Sequence, residues 1–204
     1  MATKHLTASD MINIRDAANQ LGKRPRAFGP YTGPKTLVVG GRLIPVDISH
    51  KSGEDIEDVK ASFSLEKRSL DIKCFGLEMQ PDDRTCKHLV RIIAHETSHA
   101  IQFDDWSPDQ IRDADRLQRF VEKTGQPDDY VSYVSCPVEL SAHAAMIAAD
   151  LHAGSHTDES FESAAISTWS YRYIASKGAN GVRLIDLQEE LIAEALAAYK
   201  SMRS

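Results

Sequence analysis

The sequence predicts an α+β fold: a small N-terminal β-sheet followed by a mostly helical half. Three observations lead there. From residue 36 to 75, short apolar runs alternate with period two, the first two about the Gly40-Gly41 pair. Beyond Pro81, apolar residues recur at helical spacing to the C-terminus. No low-complexity tract, internal repeat or convincing linker divides the 204 residues, so a single domain, 1–204, is expected. A hydrophobic content of 42% with 26% charged residues suits one ordinary globular core of that size.

The elements follow in order. Residues 6–22 (LTASDMINIRDAANQLG) read as a helix with Thr7 or Ser9 as cap and Gly22 as stop. The basic GKRPR (22–26) opens a Gly/Pro-dense loop. Residues 36–48 read as two strands about Gly40-Gly41, a hairpin turn. SGEDIEDVK (52–60) has room for one or two helical turns. Residues 61–75 alternate as a second strand pair, with Phe63 and Leu65 on one strand and Leu70, Ile72 and Cys74 on the next. The first long helix covers 81–103, with acidic residues in its first turn where the helix dipole favours them. A second runs from a Ser107 cap and Pro108 to Thr124, ended by Gly125, and 125–135 connects. A third covers about 137–152, a loop 153–160, and a fourth about 159–177, stopped by KGANG. A fifth, with Val182, Ile185, Ile192, Ala195, Leu196 and Tyr199 on one stripe, closes the chain.

Composition also excludes. A net charge of −6 argues against a nucleic-acid surface, and no run reaches the ~18 apolar residues of a membrane span. The first residues lack the apolar stretch of a signal peptide. Cys74, Cys86 and Cys136 are odd in number and form no CxxC, which fits reduced thiols in a cytoplasmic protein. Cys136 precedes His143 by seven residues but nothing activates it, so a buried thiol is the preferred reading over a nucleophile.

One stretch carries chemistry. In IIAHETSHAIQF (92–103), His95 and His99 stand four apart, one turn on the same helix face, where two imidazoles can converge on one ion. Glu96 flanks that ion, placed to take a proton from a metal-activated water. A shuffled chain of this composition contains HExxH only roughly 2% of the time. Leu89, Ile93, Ala100 and Ile101 surround the pair with apolar side chains, so two buried histidines need a partner, and a zinc ion supplies one. His88 lies ~10.5 Å up the axis from His95, too far to share the ion with His99, and reads as structural or solvent-facing.

A catalytic zinc needs a third protein ligand. Asp105 stands six residues after His99, but reaching back would require the sharp turn a glycine gives, and Gln102 occupies that place. Glu139 is preferred. It sits in the first turn of the helix opened by Pro137, and Ala142, Ala145 and Ala149 behind it allow the two helices to approach closely. His143, one turn on, is a candidate alternative ligand, a partner that orients a ligand, or an oxyanion donor. Tyr133, with Tyr130 beside it, is the candidate donor to the scissile carbonyl.

His95-Glu96-Thr97-Ser98-His99 together with PVELSAHA (137–144) resembles the zincin metallopeptidases. The likeness is to the glutamate-third-ligand, gluzincin-like branch. A tyrosine followed by PxExxA is also similar to small intracellular zincins of phages and mobile elements. The resemblance covers about residues 61–151, and departs from the thermolysin-like pattern in placing His143 where an aspartate often follows the ligand glutamate. It implies a sheet before the active-site helix whose edge strand lines the cleft, a role that falls to SLDIKCF (69–75), where an extended peptide could pair. The expected activity is zinc-dependent endopeptidase hydrolysis of a peptide or protein substrate, with His95, His99 and Glu139 holding Zn²⁺ and Glu96 as general base. The rivals are a non-catalytic zinc-binding or interaction module and a zinc hydrolase of non-peptide amides.

Overall fold

Hydrogen bonding at Thr7 decides where the chain first becomes helical. In the computed structural model, which describes residues 4–22, 36–51, 60–64, 67–75, 83–177 and 182–204, α1 spans Ala8–Gly22. Thr7 Oγ1 accepts from the Asp10 amide at 3.3 Å and Asp10 Oδ2 accepts from the Thr7 amide at 2.9 Å, a reciprocal cap that selects Thr7 over Ser9. Asp10 Oδ1 also accepts from the Gly40 amide at 2.8 Å, so one carboxylate fastens α1 to the turn between β1 (Thr36–Val39) and β2 (Arg42–Lys51). Gly40 and Gly41 take φ of 56° and 71°, the left-handed values a two-residue hairpin turn requires.

β3 (Lys60–Ser64) and β4 (Ser69–Phe75) form the second hairpin. The sheet order is β1-β2-β4-β3. Its outer pairs are antiparallel, and β2 and β4 run parallel with Val46 opposite Leu70 and Ile48 opposite Ile72. This corrects the expectation for residues 69–75: β4 is paired on both sides, and β3 is the edge that meets the helical half. On β4, Leu70 and Ile72 are each 1% exposed, whereas β3 leaves Ser62 exposed.

α2 (Asp83–Gln102) runs into a 3₁₀ turn at Phe103–Asp105, and α3 (Pro108–Thr124) has the Ser107 cap and the left-handed Gly125 expected of it. The segment read as a connection holds a further helix, α4 (Pro127–Val134). Its signals are Pro127 at the first position, Asp128 and Asp129 in the first turn, and buried Val131 and Val134; eight residues are too few to display a periodicity. α5 is Pro137–Leu151. The fourth expected helix is two, α6 (Asp158–Ile166) and α7 (Trp169–Lys177). Thr168 Oγ1 donates to the Ala165 carbonyl at 2.7 Å and accepts from the Tyr171 amide at 3.1 Å, so one hydroxyl ends α6 and caps α7. α8 (Val182–Arg203) closes the chain. The readings for residues 23–26, 52–59 and 178–181 lie outside the described residues.

Twelve of the fifteen residues of α5 are buried, so this helix is wrapped on all sides, with α2 and α8 as its principal neighbours. The alanines of the face anticipated from sequence are all buried: Ala142, Ala144, Ala145 and Ala148 are at most 3% exposed and Ala149 is 6% exposed. A buried polar contact ties α2 to α5, alongside the Arg91–Asp150 ion pair nearer the other end of the two helices. Ser141 Oγ donates to Gln102 Oε1 at 2.7 Å, and Gln102 Nε2 donates to the Lys4 carbonyl at 2.7 Å. Among the described residues no helix is long and apolar enough to cross a membrane.

Candidate metal centre

α2 presents His95, Glu96 and His99 toward α5, which presents Glu139 and His143. The two residues inside the motif are polar yet buried, and each satisfies its hydroxyl on its own helix. Thr97 Oγ1 donates to the Ile93 carbonyl at 2.6 Å and Ser98 Oγ to the Ala94 carbonyl at 2.8 Å. The helix therefore stays regular while the histidines face across.

Glu139 sits among three imidazoles. Its Oε2 lies 3.5 Å from His95 Nε2 and 3.8 Å from His143 Nδ1, and its Oε1 lies 3.6 Å from His99 Nε2. These gaps exceed a good hydrogen bond. The two Nε2 gaps, from His95 and His99, approach the ~3.3 Å that separates two ligand atoms held tetrahedrally at about 2.0–2.1 Å from one ion. Oε2 of Glu139 is buried without a hydrogen-bond partner, as are Nδ1 of His95 and of His99. An orphaned, nearly fully buried carboxylate oxygen facing imidazole nitrogens is an unfavourable arrangement that a cation would relieve. His95, Glu139 and His143 each bring one ligand atom within 4.8 Å of the others, a buried group that could hold a metal ion. His99 adjoins it through the other Glu139 oxygen, its ring 4.9 Å from that of His95 and nearly perpendicular.

No family model, no curated protein and no solved structure matches this chain. Its chemistry is therefore read from the site itself.

Burial drives the proton affinities, and neighbouring charges then separate them. Burial lowers His99 to about 4 and His143 to about 3, so both are neutral at pH 7 with a lone pair to give. Burial also pushes His95 down, but Glu139, Glu96 and the Ala142 main chain outweigh it and the net shift is upward. Burial would raise Glu139, yet His99, His95 and His143 hold it well below the usual carboxylate range, so it is ionised. Glu96 goes the other way: burial, joined by the Glu139 charge, raises it to about 7 against the pull of His95. A buried carboxyl near neutrality, beside one that is firmly ionised, has the properties of a general base.

The Phe63 amide on β3 donates to Glu96 Oε2 at 2.8 Å, and Glu96 Oε1 is left 4.0 Å from His95 Nε2, facing the cluster. A main-chain donor has no sequence signature, which is why this anchor was not foreseen; the period-two pattern located β3 but not its edge position.

The remaining candidates separate cleanly. Asp105 is drawn away, its Oδ1 paired with Lys4 Nζ at 2.8 Å. His88 packs edge-on against Trp169, ring centres 5.4 Å apart. Tyr133 and Tyr130, on α4, have ring centres 6.3 and 6.5 Å from that of His143. Burial, reinforced by Glu139, raises the Tyr133 phenol well above its ordinary value, so its hydroxyl is always a donor. His143 Nδ1 lies 2.9 Å from the Glu139 carbonyl. A carbonyl only accepts, so Nδ1 carries the ring proton and Nε2 the lone pair. A neutral His143 in that tautomer resembles a ligand, not an oxyanion donor.

Proposed function

We propose that this chain is a zinc-dependent metallopeptidase in which His95, His99 and Glu139 hold Zn²⁺ and Glu96 is the general base. The observation that carries the reading is the ionised Glu139 carboxylate set between the two imidazoles of HExxH, with Glu96 anchored by one oxygen and open at the other. When bound, the ion supplies Lewis acidity, polarising a carbonyl and acidifying water. The chain's own groups do the rest. Glu96 Oε1 takes the proton of the attacking water as the C–O bond forms, and delivers it to the amine nitrogen as the C–N bond breaks. The Phe63 amide keeps the Glu96 carboxylate in one orientation throughout. The Tyr133 hydroxyl donates to the carbonyl oxygen as negative charge grows there. β3, an edge strand, offers its outer main-chain edge to an extended peptide, apart from the Phe63 amide that Glu96 holds.

The test is Glu96→Gln. It should retain one zinc per chain and lose peptide-library cleavage by about 10²–10⁴-fold, the usual contribution of a general base. A variant cleaving at the wild-type rate defeats the assignment.

One observation favours a second reading. His143 belongs with His95 and Glu139 to the candidate ligand group, so with His99 four protein ligands could close the sphere and make the ion structural. His143→Ala separates the two. The peptidase reading expects metal retained and a shift confined to activity; the structural reading expects weakened metal binding, a changed visible spectrum of the cobalt-loaded protein and no activity in either form.

A further inference from the structure

A cleft of about 690 Å³, lined by none of the metal-centre residues, lies between α1, the first half of α2, the end of α5 and the α6–α7 break. We propose that it binds a small organic anion with a flat apolar body, such as an aromatic carboxylate. The volume falls in the ~300–1,000 Å³ range of small-molecule sites.

Charge gives the ligand its sign. The lining contains three cationic side chains, Arg15, Lys87 and Arg91, and one carboxylate, Asp150, an excess of two positive charges on a chain of net charge −6. Arg91 is committed to Asp150 in an ion pair whose side chains are 15% and 10% exposed. The other Asp150 oxygen accepts from the Ser170 amide at 3.1 Å and the Ser170 hydroxyl at 2.8 Å. Arg15 and Lys87 therefore carry the excess.

The same network gives the ligand its shape. The Arg91 guanidinium lies 4.9 Å from the centre of the Trp169 ring, Tyr173 stacks on that ring with centres 5.0 Å apart and His88 packs edge-on against it, so Trp169 is held in place although 41% exposed. Val90, Ala149 and Leu151 add apolar wall. A fixed aromatic rim, to which a flat body can pack edge to face, and an apolar wall beside two cations suit a flat apolar body ending in an anionic group.

The test uses 2-naphthoate and the full-length, metal-loaded protein, followed by calorimetry and by amide and indole N–H chemical shifts. Binding should be saturable at one site and should shift the Trp169 indole. It should weaken about tenfold in the Arg15→Glu/Lys87→Glu variant, and about tenfold when the neutral 2-naphthalenemethanol replaces the acid. It should also weaken as salt is raised toward about 1 M in the unmodified chain, a readout that survives if the double variant misfolds. Absence of saturable binding, equal affinity for the neutral alcohol, or insensitivity to salt overturns the proposal. Inorganic phosphate competing as well as naphthoate overturns the apolar half of it. None of these outcomes depends on whether the chain is a peptidase.

Discussion

Replacing Ser141 by alanine tests how α2 and α5 are held in the alignment that brings Glu139 to the histidines. In the folded chain the Ser141 hydroxyl donates to Gln102 Oε1 at 2.7 Å, and both residues are buried, at 3% and 1% exposure. The alanine variant removes the donor and leaves a buried amide oxygen without it, a cost of about 2 kcal/mol. Alanine recovers about 0.5 kcal/mol through better helix propensity than serine. A net loss of about 1.5 kcal/mol remains, which lowers Tm by about 3–6 °C in a chain of this length. The measurement is urea and thermal unfolding of metal-free protein, so that metal binding does not contribute to the difference. A double-mutant cycle with Gln102→Leu isolates the pair and should return a coupling of about 1 kcal/mol. A Ser141→Ala protein as stable as the parent, or a coupling of zero, would refute the claim that this bond aligns the helices.

Three further outcomes are expected. Gly40 has φ 56° and a Cβ there would meet Ile101 Cγ2 at 2.8 Å, so Gly40→Ala should cost about 2 kcal/mol or more in a denaturant titration; an unchanged midpoint contradicts the turn geometry. Metal affinity should fall as pH drops, about tenfold per unit while a single proton competes. That proton is the one on His95, whose pKa is raised above 6.5, whereas His99, at about 4, adds a second only in more acidic solution; chelator competition from about pH 5 to 8 reads the slope, and a flat profile opposes it. In the metal-free protein, Glu96 has its folded pKa raised from 4.5 to about 7. Its favourable state is the protonated one, fully present below 4.5 and lost as pH rises through about 7. Metal-free Glu96→Gln should therefore exceed the parent in stability at pH 8 by on the order of 3 kcal/mol, with the gap vanishing below pH 4.5; equal stabilities at pH 8 would show the Glu96 carboxylate to be well solvated.

What the sequence determined by itself was everything written in local periodicity and local chemistry. The change of period at Pro81 separates sheet from helix, Ser107 and Gly125 bound α3, and the four-residue step from His95 to His99 places two imidazoles on one face, because each of these follows from bonds and turns within a few residues. Local signals failed where segments were short or competed with a side chain, as in α4 and at Thr168. Tertiary structure alone decided which strand forms the edge, since pairing depends on partners distant in sequence; it placed Glu139 at 3.5 and 3.6 Å from the two histidines while drawing Asp105 to Lys4. It also set the protonation of the cluster. Burial and the charges facing across from the other helix bring Glu96 to about 7 and keep Glu139 ionised across the same few ångströms.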